Sequence, residues 1–251
     1  MRVGSRDDGG HFVQYILEPN DPATSGSVTE RATAQIREAI LRGRLPAGAR
    51  IPMQQLSDEM GTSHIPIREA LRRLEGEALV ESRAHRWSVV SDLSLQELED
   101  VYELRRLIEG AAAHRAASRY QEEDLVKIRR AVQDLTDSQA SPSSEAFWNA
   151  HRSLHLSILE PGLTPWSRRL LRLLWQSAER YQRLYATVPG SIDSANEDHH
   201  DLARLAEEGD AEAIREVAVQ HLHTTESALK RAWVTENGAA SDVGTPEALA
   251  D

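Results

Sequence analysis

Apolar residues near the N-terminus recur at the spacing of an amphipathic helix. Ile36, Ile40 and Leu41 share one face of a segment that opens with the capping-box sequence SVTE at residues 27–30 and ends near Gly43. The pattern repeats in two shorter segments and then gives way to two β-prone runs around a polar turn. The sequence therefore predicts three helices and a two-stranded hairpin. The second helix is expected at residues 53–60, the third between Ser63 and Gly76, and the strands at residues 79–82 and 87–90.

Beyond residue 94 the helical periodicity continues with almost no strand signal. A second capping box, SLQE at residues 94–97, opens this part of the chain, and Pro-Gly pairs and single glycines interrupt it. Short connectors between long amphipathic helices are typical of an antiparallel bundle. Six helices are predicted, at residues 95–119, 121–138, 144–159, 165–186, 194–208 and 210–233.

These patterns predict a mostly α-helical chain with two domains and two tails. An N-terminal winged helix-turn-helix is expected at residues 27–91, followed at residues 92–234 by a C-terminal antiparallel α-helical bundle. Residues 1–26 mix Gly, Ser, Asp and Pro around one short apolar stretch, and residues 235–251 are small and acidic. Both ends are therefore predicted to be mainly disordered tails.

Composition adds three constraints. The chain has 251 residues, 40% hydrophobic and 27% charged, which is ordinary for a soluble protein. The sequence has neither a run long and apolar enough for a membrane span nor the order of a signal peptide, so a cytoplasmic protein without a membrane partner is expected. Because the chain contains no Cys, a transition-metal site must be built from His and carboxylates.

The net charge of −11 is unevenly distributed. Residues 27–90 carry ten Arg against eight acidic residues, a net charge of +2, whereas residues 91–251 carry −11 and residues 1–26 carry −2. A basic module on an acidic body is attracted locally to phosphate. The charge pattern supports DNA binding without establishing it.

The second and third predicted helices have the form of a DNA-reading motif. Two short helices joined by a turn containing glycine can place the second helix in a major groove. Its first residues, Ser63 and His64, would then point toward base edges, and Arg68 and Arg72 lie one turn apart where they can contact guanine or phosphate. A basic outer face is also common on ordinary solvated helices, so this motif alone leaves both interpretations open.

The segment from residue 34 to residue 79 resembles the winged helix-turn-helix of GntR-type regulators. The resemblance rests on the turn GRLPAG, the segment LSDEMGTS and the run PIREALRRLE, in this order and spacing. Two positions depart from the family pattern: His64 stands where Arg is common, and Trp87 stands where the tip of the wing usually has Gly. The resemblance implies DNA-facing positions at Arg37, Arg44, Gln54, Ser63, His64, Arg68 and the wing residue Arg86.

Histidines in the C-terminal region have a spacing that suits metal binding. His151 and His155 are four residues apart in one predicted helix, so they lie on one face. Two further histidines, His199 and His221, lie on separate predicted helices that a bundle can bring alongside. Taken from the residues alone, an ordinary surface or interface role for these histidines remains open.

The sequence VYELRRLIEGAAAHRAA at residues 101–117 resembles the first helix of the FadR-type effector domain, a FCD-like domain of the same superfamily. The resemblance implies a divalent metal bound by His155, His199 and His221, with His151 at a position that is usually Asp. A neutral set of four imidazoles suits zinc or nickel better than magnesium or calcium.

By the same resemblance, Arg105 of an R-x-x-x-E pair with Glu109 points into the effector cavity. A guanidinium beside a metal can bind a carboxylate, so a small organic acid is the expected effector. An i,i+4 surface ion pair is the other interpretation of these two residues.

The sequence therefore predicts a homodimeric transcription regulator, a repressor by resemblance, that binds a near-palindromic DNA operator and responds to a small carboxylate. One alternative is a regulator for which the metal ion itself is the effector. A second is a metal-dependent hydrolase with Glu179 or Glu197 as general base. Because no H-E-x-x-H motif is present, the chain is expected not to be an enzyme.

Overall fold

In the computed structural model, helices occur close to every segment where the periodicity predicts them. The structure describes residues 4–6, 12–14, 16–17, 26–83, 87–139, 141, 144–186 and 195–241. The chain divides into two units, Met1–Leu93 and Ser94–Asp251, and each has its own hydrophobic core. The predicted fold class is confirmed: the first unit is a winged helix-turn-helix, and all regular elements in the described part of the second unit are helices.

Three helices form the centre of the first unit: α1 (Val28–Leu41), α2 (Met53–Met60) and α3 (His64–Glu75). At the start of α1, Ser27 and Glu30 cap each other reciprocally, as the sequence predicts. Gly61 ends α2 with φ 57°, a left-handed conformation that glycine adopts without strain. The apolar faces of the three helices pack together in one core that includes Ile36, Leu56, Ile67 and Leu74.

The wing is the antiparallel pair β3 (Val80–Arg83) and β4 (Trp87–Val90). The guanidinium of Arg50 lies 5.4 Å from the centre of the Trp87 ring. The intervening residues 84–86 lie outside the described part of the chain, and the predicted DNA contact Arg86 is among them.

The N-terminal segment differs from the predicted disordered tail. Strands β1 (Gly4–Arg6) and β2 (Phe12–Gln14) pair with each other, and Ile16 and Leu17 are buried in the core of the first unit. The backbone N–H groups of Ile16 and Leu17 both donate to the carboxylate of Glu59 on α2, at 2.8 to 3.1 Å. The prediction that residues 1–26 form a disordered tail is therefore corrected for the two strands and for Ile16 and Leu17. Local composition does not reveal that the short apolar stretch packs against the core and binds Glu59.

The second unit contains the six predicted helices. They are α4 (Leu95–Ala117), α5 (Glu122–Ser138), α6 (Glu145–Leu159), α7 (Pro165–Tyr185), α8 (Ala195–Glu208) and α9 (Ala211–Ser241). Helix α9 continues to Ser241, so the predicted C-terminal tail begins too early. Among the described helices, none combines the length and apolar character that crossing a bilayer requires.

The turn between α6 and α7 packs tightly against α4. A Cβ atom on Gly162 would lie 1.9 Å from the carbonyl oxygen of Ala112, so only glycine fits there. The Nε of Arg115 donates to the carbonyl of Gly162 at 2.9 Å. These contacts hold the start of α7 beside the C-terminal half of α4.

The other end of α7 reaches the first turn of α4. Ser94 caps α4 by accepting from the N–H of Glu97, but the Glu97 carboxylate accepts a hydrogen bond of 2.7 Å from the hydroxyl of Tyr181. The same hydroxyl accepts from the N–H of Ser94 at 3.1 Å. Burial raises the pKa of Tyr181, which keeps this hydroxyl protonated. The capping box predicted at residues 94–97 is therefore completed by a residue of α7.

Candidate functional site

The first turns of α3 present an exposed face. Ser63 is the N-cap residue, and its hydroxyl makes no capping hydrogen bond. Arg68 is exposed and forms no ion pair or hydrogen bond with another described residue. Arg72, by contrast, forms an ion pair on the same helix, with its Nη1 3.6 Å from Oε2 of Glu69. Ile67, Leu71 and Leu74 of α3 face the core, whereas Ile65 in the first turn is 74% exposed. The outer face of the helix is therefore available to a ligand surface.

Gln54 and His64 link α2 to the start of α3. The Nε2 of His64 lies 3.2 Å from Oε1 of Gln54, and Nε2 of Gln54 donates to Asp58 at 2.9 Å. Gln54 is exposed and His64 is half-buried. His64 directly follows Ser63 in the chain and lies within hydrogen-bonding distance of Gln54, so these three predicted DNA contacts are close together.

Arg37 and Arg44, both predicted to contact DNA, are not fully exposed side chains. The guanidinium of Arg37 donates twice to Glu77, with Nε to Oε2 at 2.8 Å and Nη2 to Oε1 at 2.7 Å. Arg44 is half-buried and follows Gly43 after the end of α1. A DNA contact by Arg37 would have to compete with Glu77, and the role of both arginines stays a prediction.

Four histidines from three helices converge in the second unit. His151 and His155 lie on α6, His199 on α8 and His221 on α9, and ligand atoms of all four lie within 4.8 Å of one another. The ring centres of His199 and His221 are 4.6 Å apart, as are those of His151 and His155. The arrangement brings together all four histidines that the sequence singles out.

The electrostatics of this cluster suit a metal ion. Burial, with smaller contributions from His221, Arg105 and Arg152, lowers the pKa of His151 to about 3. Burial also lowers the pKa values of His155 and His199. These imidazoles are therefore neutral near pH 7, which is the form that binds metals.

One buried nitrogen in the cluster lacks a partner. Nδ1 of His199 is buried without a hydrogen bond to any described residue, while its Nε2 lies 3.2 Å from Nε2 of His155. A buried polar atom without a partner is costly, and an ion bound among the rings would satisfy such atoms. Four imidazole nitrogens at this spacing fit a borderline transition metal, with the four histidines as its ligands.

Asp198 adds a carboxylate beside the cluster. Its Oδ2 lies 3.3 Å from Nδ1 of His221, so it can accept that N–H and direct Nε2 toward the other rings. A carboxylate bonded to a ligating histidine fixes the ring and increases its basicity. The sequence analysis missed Asp198, although its place directly before His199 was a usable signal.

Replacing Asp198 with Ala is expected to weaken metal binding by about 10- to 100-fold, because the hydrogen bond that orients His221 is lost. Competition with a chelator of known affinity measures the change. Asp201→Ala is the matched control, since Asp201 lies on the exposed side of the same helix and pairs with Arg204. Equal losses in the two variants would contradict a role for Asp198 in orienting His221.

Arg105 is buried next to the histidines. Its Nε donates to Glu109 at 2.7 Å, and the same carboxylate oxygen accepts from Nε1 of Trp175 at 2.9 Å. The guanidinium lies 4.9 Å from the centre of the Tyr102 ring. The pair with Glu109 is therefore an interior one, which rules out the surface-pair interpretation.

A small cavity joins Arg105 to the cluster. Its volume is about 20 Å³, which is enough for about one water molecule. An organic acid therefore needs the surrounding side chains to move before it can bind here. The cavity is lined by Arg105, Trp148, His151, Arg152, His155, Trp175, Glu179 and Gln182.

Ion pairs cross the wall of this cavity. Nη1 of Arg152 donates to both oxygens of Glu179, at 2.6 and 2.7 Å, and Nε of Arg183 donates to Oε1 at 2.7 Å. Glu179 is therefore held by two guanidinium groups, an arrangement that does not suit the general base of the hydrolase alternative. The other candidate base, Glu197, has its side chain outside the described residues.

Two family models match this chain. The model described as bacterial regulatory proteins, gntR family, matches residues 28–90, and the FCD domain model matches residues 100–224. The chain belongs to the GntR family. GntR-family regulators bind operator DNA, so the exposed face of α3 belongs to a DNA-binding unit.

Curated relatives and solved structures agree with this assignment. The GntR chain is 26% identical over 229 residues to the uncharacterized HTH-type transcriptional regulator BphR of Paraburkholderia xenovorans (strain LB400), covering 89% of this chain and 94% of the relative. It is 28% identical over 207 residues to the probable D-xylose utilization operon transcriptional repressor of Paenarthrobacter nicotinovorans, covering 80% and 90%. The fold matches that of E. coli McbR/YncC with a TM-score of 0.73 and 21% identity, over 83% of this chain and 100% of that one. These relatives are transcription regulators and not enzymes.

Proposed function

We propose that this GntR-family regulator is a cytoplasmic, homodimeric repressor whose affinity for operator DNA is set by a small organic acid bound at a metal. The metal is a divalent transition ion, zinc or nickel, held by His151, His155, His199 and His221. The observation that carries the proposal is that four histidines, with ligand atoms within 4.8 Å of one another, adjoin a cavity lined by buried Arg105 and by two of them, His151 and His155.

Each group has a separate task in the proposed site. The metal, when bound, supplies a Lewis acid for one oxygen of the acid. Arg105 offers a charged donor for another oxygen, and Arg152 is a second guanidinium at the cavity wall. Binding of the acid must displace Arg152 from Glu179 or widen the cavity in another way, because about 20 Å³ accommodates one water.

The DNA-binding unit completes the mechanism. A dimer presents two copies of α3 to a near-palindromic operator, where Ser63, Arg68 and Arg72 contact bases and phosphates. The acid changes DNA affinity only through its preference for one arrangement of the protein, typically by about 1 to 3 kcal/mol.

A second candidate follows from the size of the cavity. Because the cavity holds only about one water molecule, the ion alone fits the protein as described, whereas an organic acid does not. In this version the metal is the effector, and DNA affinity tracks the free metal concentration with no organic acid present.

A thermal-shift screen separates the two candidates. The zinc-loaded, nickel-loaded and chelated proteins are each heated with a panel of small carboxylic acids, sugars and sugar acids, since one relative is named for a D-xylose operon. A ligand that binds the folded state raises the melting temperature by mass action. We expect an increase in melting temperature that requires both the metal and one class of acid. An increase with metal alone, accompanied by a change in operator affinity, identifies a metal sensor. No increase with any metal overturns both candidate functions.

A further inference from the structure

The exposed face of α3 carries one large apolar side chain. Ile65 in the first turn is 74% exposed, whereas Ile67, Leu71 and Leu74 of the same helix are buried. Ile65 and Ile67 are two residues apart, a rotation of roughly 200° around the helix axis, so Ile65 projects away from the core. A single exposed apolar side chain is common on protein surfaces, so the meaning of this one depends on its neighbours.

The neighbours of Ile65 on this face are arginines. Arg68 and Arg72 follow it by three and seven residues, so the three side chains lie along one stripe of α3, and all three are exposed. Glu69 lies beside this stripe and pairs with Arg72. Guanidinium groups together with one apolar group match the surface of duplex DNA, where phosphates and base edges are the groups to be contacted.

His64, the residue before Ile65, is held against α2. Nε2 of Gln54 donates to the carboxylate of Asp58 at 2.9 Å, so the amide oxygen of Gln54 is left to face the imidazole. Nε2 of His64 lies 3.2 Å from that oxygen and is therefore the donor of this hydrogen bond. His64 is half-buried as a result, and Ile65 is the side chain that projects furthest into solvent in the first turn.

We propose that Ile65 contacts the C5-methyl group of a thymine in the operator and so determines base preference at one position of each half-site. The first turn of a recognition helix lies against base edges in the major groove, and the thymine methyl is the apolar group that the bases present there. The side chain of Ile65 has neither a donor nor an acceptor, so a methyl group is the base feature that it can recognise. This inference rests on operator binding in the proposed function and names a base that α3 selects.

The free energy of the contact comes from removing two apolar surfaces from water. Burial of one methyl group changes an affinity by roughly fourfold. Cytosine at the same position has no methyl group, and its pairing partner differs as well, so replacement of thymine by cytosine does not isolate the contact. Uracil isolates it, because uracil pairs as thymine does and lacks only the methyl group.

The first test therefore removes single methyl groups from the DNA. A preferred site is selected from a library of random duplexes with the purified full-length protein, in zinc-loaded and in chelated form. Each thymine of one half-site is then replaced by uracil, one at a time, and fluorescence anisotropy measures the affinity. We expect one replacement to weaken wild-type binding by about fourfold in a manner that depends on Ile65. With cytosine at that position, methylation at C5 is expected to strengthen binding by a similar factor.

The second test removes the side chain. Ile65→Ala is expected to keep the helix content and melting temperature, because Ile65 is exposed and Ala favours a helix. The variant is expected to bind the selected duplex about fourfold to tenfold more weakly, and to bind the thymine and uracil duplexes equally at the position concerned. Ile65→Val keeps a branched apolar group and is expected to retain most of the discrimination. Val126→Ala is the control, since Val126 is 51% exposed on α5 of the second unit.

The outcomes distinguish this inference from the proposed function. A wild-type protein that binds every uracil duplex as tightly as the thymine duplex contradicts the methyl contact alone. So does an Ile65→Ala protein that binds more weakly but discriminates thymine from uracil as the wild type does, because the side chain would then act without reading that base. Failure to select any preferred duplex contradicts both operator binding and this inference.

Discussion

Replacing His155 with Ala is expected to abolish stoichiometric binding of zinc or nickel. His155 is buried at the centre of the cluster, with its ring centre 5.1 Å from those of both His199 and His221 and 4.6 Å from that of His151. The variant leaves three imidazoles around an enlarged space, so it loses both a ligand and the packing that holds the other rings. Elemental analysis after purification, followed by equilibrium dialysis against zinc, measures the loss.

The chain provides matched controls for this prediction. His200 lies directly after His199 and His223 lies two residues after His221, and both are exposed. His200→Ala and His223→Ala are expected to keep one metal ion per chain. Unchanged metal content in His155→Ala would show that the four histidines are not the binding site. The melting temperature of each chelated variant separates loss of the site from loss of the fold.

Replacing Arg68 with Ala is expected to weaken operator binding by about 1 to 3 kcal/mol, or roughly five- to 150-fold. Arg68 is exposed on α3, one turn beyond the residues that open the helix, and no described residue neutralises its charge. Loss of a bidentate contact to guanine would relax sequence preference at one position, whereas loss of a phosphate contact would reduce the salt dependence by about one unit. Fluorescence anisotropy with operator and unrelated duplexes, at several salt concentrations, measures both effects.

Arg130→Ala is the charge-matched control for Arg68. The side chain of Arg130 is 83% exposed on α5 of the second unit, and its replacement by Ala removes one positive charge, as Arg68→Ala does. Non-specific attraction to DNA would respond to both variants alike, but a contact at the reading helix responds only to Arg68→Ala. If neither affinity nor salt dependence changes in Arg68→Ala, Arg68 does not contact DNA.

The helices could be predicted from sequence because their signals are local. The predicted helix limits in the second unit fall within about two residues of the observed ones, except at the end of α9, because caps such as Ser94 and breakers such as Gly209 act on adjacent residues. The convergence of the histidines was predictable for a different reason. His151 and His155 share a helix face by spacing alone, but the meeting with His199 and His221 depended on resemblance to a known family.

The remaining features depend on residues far apart in the chain. Glu59 binds the backbone at Ile16, and Glu77 binds Arg37. The partners in each pair are far apart in the sequence, so local sequence patterns do not predict these contacts. The cavity wall was missed for the same reason, since Glu179 meets Arg152 from another helix. Arg183 contacts the cavity wall through Glu179, while the neighbouring α7 residue Gln182 lines the cavity directly. Helical spacing shows which residues of a helix lie on its inner face, but only tertiary packing determines which of those residues line the cavity.

The hydroxyl of Tyr181 limits how α7 can move. It donates and accepts at the first turn of α4, while Glu179 and Gln182 on either side of it line the cavity. A rotation or translation of α7 that enlarges the cavity must either drag the first turn of α4 with it or leave the N–H of Ser94 and the carboxylate of Glu97 without this partner. Ser94 directly follows the last residue of the first unit. A movement of α7 that keeps these hydrogen bonds therefore also displaces Ser94, the residue at which the chain enters the second unit.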